Sequence, residues 1–148
     1  MREILFRGKR CDNGEWVQGF YVRADHHWHK NGIHKDWIAL GASANGGWFA
    51  LHNKYAVKAE TCGQFTGLTD KNGKKIFEGD IVAQNWYDHD EPSDDSFGEV
   101  VFCEYDCSFS VMDIQKDGIV PLGRCHAYHW EAEVIGNIHD NPELLENP

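Results

Sequence analysis

With 148 residues, a net charge of −10, 41% hydrophobic residues and 13% aromatics, the chain is large enough to bury a core and too apolar to be a disordered acidic tail. The charge is divided unevenly: residues 1–75 hold 12 Lys/Arg against 7 Asp/Glu, whereas residues 76–148 hold 2 against 17. The acidic half repels phosphate backbones, so nucleic acid is not an expected partner; the first half offers only a modest basic patch around Arg7, Lys9 and Arg10.

No window approaches the roughly 18 apolar residues of a membrane span, and the opening lacks the roughly 7–15 apolar residues of a secretory signal. The cysteine count is 5, odd and without regular spacing, which reads as reduced thiols. The expectation is a cytoplasmic protein with no membrane contact.

In chain order, "EILFRGKR" and "EWVQGFYV" read as two strands joined at Asn13-Gly14, a pair suited to the positive φ angles of a type I′ turn. Residues 24–36, rich in His, read as a loop. "DWIAL", "GWFAL" and "GQFTGL" are further short strands. "DIVAQNWY", "GEVVFCEY" and "CSFSVMD" follow, with the acidic run of residues 88–96 expected as a flexible loop and Asp117-Gly118 as a turn. "EAEVIGNI" is a last strand. The one helical signal is "NPELLEN", with Asn141 as cap and Pro142 at the first helical position. Runs of β-branched and aromatic residues between Asn-Gly and Asp-Gly turns make the fold class all-β with little helix.

The segment "TGLTDKNGKKIFEGDIV", residues 66–82, has glycines beside lysines and invites comparison with a phosphate-binding loop. It fails that comparison. Gly67 lies one residue too far from Gly73-Lys74, Lys75 stands where a Ser or Thr should hold Mg²⁺, and the residues that follow are strand-like rather than helical. Turn chemistry accounts for the pattern instead. Asp70 can accept from nearby backbone N–H groups, Gly73 can take positive φ, and Gly79 can do the same in a second turn before the strand that starts at Asp80.

Together with the opening "MREILFRGKRCDNGEWVQGFY" and the closing "EVIGNIHDNPELL", the block "GQFTGLTDKNGKKIFEGDIV" resembles the YopX family of phage and prophage proteins. The blocks stand in the family's order and frame almost the whole chain; residues 22–60 and the acidic run carry no family pattern. The resemblance implies a β-rich protein of phage or prophage origin that self-associates. It further implies a small antiparallel barrel of the SH3-like type in the C-terminal half, so that residues 1–60 form an N-terminal β-hairpin or sheet extension and residues 61–148 the barrel of one compact unit. It implies no catalytic residues.

Two clusters carry metal-ligating residue types. Cys103, Cys107, Cys125 and His126 include the ligand types of a tetrahedral zinc site, but Cys125 and His126 are adjacent and would point to opposite faces of a strand. Small buried thiols account for the cysteines, and no metal or cofactor is expected. His26, His27 and His29 lack an accompanying carboxylate pattern and read as an adventitious metal binder. The chain holds none of the nucleophile-elbow, metalloprotease or dinucleotide motifs. Trp86 and Tyr87 are aromatic enough to stack on bases, but acid surrounds them.

The leading expectation is a non-enzymatic accessory protein that binds itself and a host or phage protein. Asp88, Asp90, Glu91, Asp94 and Asp95 form its acidic contact surface. The alternatives are a small-molecule- or nucleotide-binding barrel, which would need an enclosed pocket, and a self-assembling structural protein.

Overall fold

A computed structural model of the chain describes residues 3–25, 34–45, 48–89, 91–123 and 129–146. Strand dominates among the described residues, and the strands form two antiparallel sheets of six and five members. Helix is confined, among the described residues, to a 3-10 turn at Ala59–Thr61 and to α1 (Glu143–Glu146). No helix among them is long and apolar enough to cross a membrane. The chain divides into two compact units, residues 1–65 and 66–148.

In the first unit, β1 (Phe6–Lys9) pairs with β2 (Trp16–Asp25), β2 with β3 (His34–Asn45), and β3 with β4 (Trp48–Val57), all antiparallel. β2 changes partner along its length: Trp16 to Gly19 face β1, and Phe20 to Asp25 face β3. The end of β4 returns to the end of β1. Arg10 bridges Val57, Cys11 N–H donates to Ala56 O at 2.8 Å, and Lys58 N–H donates to Lys9 O at 2.9 Å. After the 3-10 turn, the start of β5 (Gly63–Thr69) pairs with β1 at Phe6↔Gln64 and Arg7↔Gly63. Among the described residues of this unit, Ile38, Ala39, Val57 and Phe65 are buried apolar side chains.

The second unit contains the rest of β5, β6 (Lys75–Phe77), β7 (Asp80–Asp88), β8 (Glu91–Cys103), β9 (Ser108–Asp113), β10 (Gly118–Pro121) and β11 (His129–Asn137). The five-stranded sheet runs β10-β9-β8-β7-β11. The core is drawn from Ile76, Val82, Val100, Val111, Ala132 and Val134 on β6, β7, β8, β9 and β11 and from Leu122 just past β10, with Leu68, Phe109 and Trp130 packed against them. The period of two in Val-Ile-rich runs is what sorts these side chains inward.

Two sequence expectations are corrected. The acidic run, expected as a flexible hairpin tip, is largely paired strand: β7 continues to Asp88, β8 begins at Glu91, and Asp88 pairs with Glu91 across a turn in which His89 has φ 49°. Carboxylates are tolerated in exposed strand positions when the backbone ladder is satisfied and a cation is at hand, and Lys116 supplies one here. The β1–β2 connection is not a two-residue type I′ turn either. Arg10 N–H donates to Glu15 O and Gly14 N–H to Arg10 O, which closes a four-residue loop where positive φ falls on Gly14 but not on Asn13. Asn13 instead caps the loop, its side chain accepting from Glu15 N–H and donating to the Glu15 carboxylate.

Candidate functional site

The acidic hairpin is built by two strands that pair as far as its tip. Glu91, Asp94 and Asp95 are exposed on β8; Asp88 closes β7, and Asp90 lies outside the described residues. The register shifts between Trp86 and Tyr87, so Trp86 faces Asp94 while Tyr87 faces Pro92. Lys116, in the turn after β9, reaches across to the hairpin. Its ammonium donates to Asp94 Oδ1 at 2.6 Å, to Asp95 Oδ1 at 3.2 Å, and to the Asp95 carbonyl. The bond to Asp94 holds the Lys116 pKa above its ordinary value. Two of the expected contact carboxylates thus share one counter-charge, and Glu91 is exposed at the start of β8.

Beneath the hairpin the strands are pinned by polar contacts that the sequence pattern did not disclose. Gln84, fully buried, donates from Nε2 to Ser96 Oγ at 2.8 Å and accepts from Trp130 Nε1 at 3.0 Å. The indole of Trp86 is 2% exposed, so it is a core residue and not a stacking platform. Tyr87 is half-buried, its ring 5.4 Å from that of His129.

The turn block of residues 66–82 behaves as its chemistry requires. Asp70 Oδ1 accepts from Asn72 N–H at 2.8 Å and Lys74 N–H at 2.9 Å, and Gly73 has φ 80°. Asp80 Oδ2 accepts from Phe77 N–H at 2.8 Å around Gly79, whose φ is 74°. Asp70 also reaches a residue far away in sequence, its Oδ2 accepting from Val134 N–H of β11 at 3.2 Å. Burial is the largest single influence on this carboxyl and pushes its pKa up. The bonds from the Lys74, Val134 and Asn72 amides outweigh burial, and the net shift is downward.

The cysteine cluster is not assembled among the described residues. Cys103 is half-buried at the end of β8, and Cys107 is exposed, with φ 54°, in the turn that follows, so the expectation of a buried thiol is wrong there. Cys125 and His126 lie outside the described residues, as do His26, His27 and His29. No group of three or more His, Cys, Asp or Glu placed to hold a metal occurs among the described residues. Cys62 is a half-buried thiol, pushed up to about 11 by burial and then by Asp36, Glu60 and Cys11, which leaves it protonated at neutral pH.

A hollow lined by Lys71, Ala83, Asn85, Glu131, Ala132 and Glu133 has a volume of about 40 Å³. That is room for a water, against the roughly 300 Å³ or more of a small-ligand pocket. Lys71 and Glu133 form an ion pair at 2.5 Å on its rim.

The family model described as YopX protein matches residues 5–146, nearly the whole chain. Among solved structures, the chain is similar to protein EF1440 from Enterococcus faecalis, at 23% identity and a TM-score of 0.53, over 98% of this chain and 99% of that one. This likeness is one of fold. No curated protein matches the chain.

Proposed function

This chain belongs to the YopX family, and we propose that it is a non-enzymatic accessory protein of phage or prophage origin that acts by binding a host or phage protein in the bacterial cytoplasm. The observation that carries this reading is the acidic hairpin. Its carboxylates are presented on paired strands rather than on a floppy loop, so a partner meets a fixed array of charge and little conformational entropy is lost on docking. Glu91, Asp94 and Asp95, exposed on β8, make the complementary surface for a basic patch on that partner, and Asp88 and Asp90 belong to the same acidic run in sequence.

The second unit is read as barrel-like and SH3-like in type, supported by one apolar cluster drawn from β6, β7, β8, β9 and β11 and from Leu122 just past β10. Self-association belongs to the same reading. Met112 and Ile119 are register partners on β9 and β10, and both are exposed, at 47% and 54%. Static light scattering of the purified chain gives its mass directly.

The interaction is tested by pull-down from a nuclease-treated bacterial lysate, followed by kinetics with the captured partner across a salt series. Replacing Asp88, Asp90, Glu91, Asp94 and Asp95 with Ser is expected to slow association by about tenfold or more at low salt and to flatten its salt dependence. Association rates and salt dependence that match the parent chain would remove the hairpin from the contact.

A further inference from the structure

Past the register pair Phe20↔Ala39, β3 and β4 run on together without a third strand. β2 leaves β3 there for β1, whereas the β3–β4 pairing continues through Gly41↔His52, Ala42↔Leu51, Ser43↔Ala50, Ala44↔Phe49 and Asn45↔Trp48. Among the described residues, this ribbon of five register pairs, about 17 Å long, meets no other strand at either edge. A two-stranded ribbon is marginally stable in water unless one of its faces is packed.

The two faces of the ribbon differ. Residues opposite each other in antiparallel strands share a face, and neighbours along a strand alternate. Ile38, Leu40 and Ala42 of β3 therefore share one face with Leu51 and Val57 of β4, while Gly41, Ser43 and His52 lie on the other. The second face is polar and open. Ser43 Oγ and His52 Nε2 are 2.6 Å apart, both side chains are exposed, and a Cβ on Gly41 would meet nothing within 4 Å. The first face is apolar, and its cover stops part-way along the row. Ile38 is 0% exposed, whereas Leu40, next in the row, is 49% exposed, and Ala42 beyond it is exposed as well. The apolar row thus outruns the core that covers its start.

The charge pattern points to what covers the rest. Between Asp36 and Lys54 the chain has no Asp, Glu, Lys or Arg, although these make up 26% of the whole. A basic or an acidic partner finds no counter-charge on this segment. Two copies of a chain with a net charge of −10 repel each other, and contact costs least where neither copy carries charge. We propose that the apolar row of Leu40, Ala42 and Leu51 packs against the same row of a second copy, across a two-fold axis that sets identical surfaces together. This contact rests on the self-association proposed above and gives it a surface on β3 and β4, on strands other than those of Met112 and Ile119. So short a ribbon buries less than the roughly 1,200–2,000 Å² of a standard interface, which sets the expected dissociation constant at about 1–100 µM.

The test is sedimentation velocity of the intact chain from about 1 to about 300 µM, beside two charge variants. Leu40→Glu with Ala42→Glu sets like charges against each other in the paired rows and is expected to weaken association about 100-fold or more; Leu40→Lys with Ala42→Lys does the same. An equimolar mixture of the two variants is expected to associate again, to within about tenfold of the parent, because acid then meets base across the axis. Both positions are exposed, and far-ultraviolet circular dichroism checks that each variant stays folded. Ala42→Glu alone repeats the test with a smaller perturbation. A parent chain that associates while the Glu variants associate equally well would overturn the contact and leave self-association to Met112 and Ile119. Variants that stay apart when mixed would show that the row does not meet itself, which also overturns the proposal. A parent that is monomeric throughout would remove the contact and the self-association it rests on.

Discussion

Removing the Asp70 carboxylate should destabilise the second unit more than any exposed charge can. Three backbone amides donate to it, two within its own turn and one from β11, and the residue is 6% exposed. In Asp70→Asn one oxygen can still serve Asn72 and Lys74, but the amide nitrogen then faces Val134 N–H, donor against donor. Losing one charge-assisted bond costs about 1.5–3 kcal/mol. In Asp70→Ala all three bonds go. Asn72 and Lys74 are exposed and can turn to water, so the total is less than three full bonds, about 3–5 kcal/mol. Urea unfolding, with a slope of about 1–3 kcal/mol per molar, should show the midpoint falling by about 1 M for Asn and further for Ala. Hydrogen exchange at the Val134 amide should accelerate in both. The sign of the pH effect follows from the depressed pKa. This stabilisation is complete above the ordinary carboxylate value of 3.8 and is lost as pH falls below it through the folded-state value, a loss that Asp70→Asn should abolish. An Asp70→Ala variant within about 0.5 kcal/mol of the parent, or an unchanged Val134 exchange rate, would refute the assignment of the third bond.

Tyr21 is pushed up to about 12, first by its hydrogen bond to Asp36 and then by burial. It should be missing from the tyrosines that ionise near pH 10 in an ultraviolet titration, and its contribution to stability, complete below 10, should disappear as pH rises towards 12; Tyr21→Phe should remove that late step and no other. Gly98 and Gly14 should separate close approach from backbone freedom. A Cβ on Gly98 would lie 1.8 Å from the Met112 carbonyl oxygen, so Gly98→Ala should cost several kcal/mol or prevent folding. At Gly14, with φ 74° and open space around it, Ala should cost about 1 kcal/mol. Thermal melts of the two variants read the contrast, and a Gly98→Ala protein as stable as Gly14→Ala would contradict the β8–β9 packing.

What the sequence disclosed was local chemistry. Asp70, Gly73, Gly79 and Asp80 could be assigned to turns because a short acid and a residue without Cβ act within a few positions of themselves. The strands were legible as Val-, Ile- and Trp-rich runs between those turns. The far end of the Asp70 network was not legible, because its second oxygen bonds an amide 64 residues away and nothing near Val134 advertises it. The acidic hairpin looked like a loop for a related reason. Five carboxylates and a proline suggest solvent, and the compensating Lys116 lies 21 residues beyond Asp95. Trp86 appeared to be a surface aromatic among acids, yet it points inward from an alternating strand.

The pairing of β7 also bears on how the protein is made. β7 is flanked by β8, its immediate successor, and by β11, with Val82 against Val134. As the chain leaves the ribosome, residues 1–65 already contain every strand partner that β1 to β4 need, whereas β7 waits with one edge open until β11 has been synthesised. During that interval the edge is a template for another nascent chain. Charges beside an open strand edge disfavour such pairing, and the acids at the far end of β7 and β8 stand in that position.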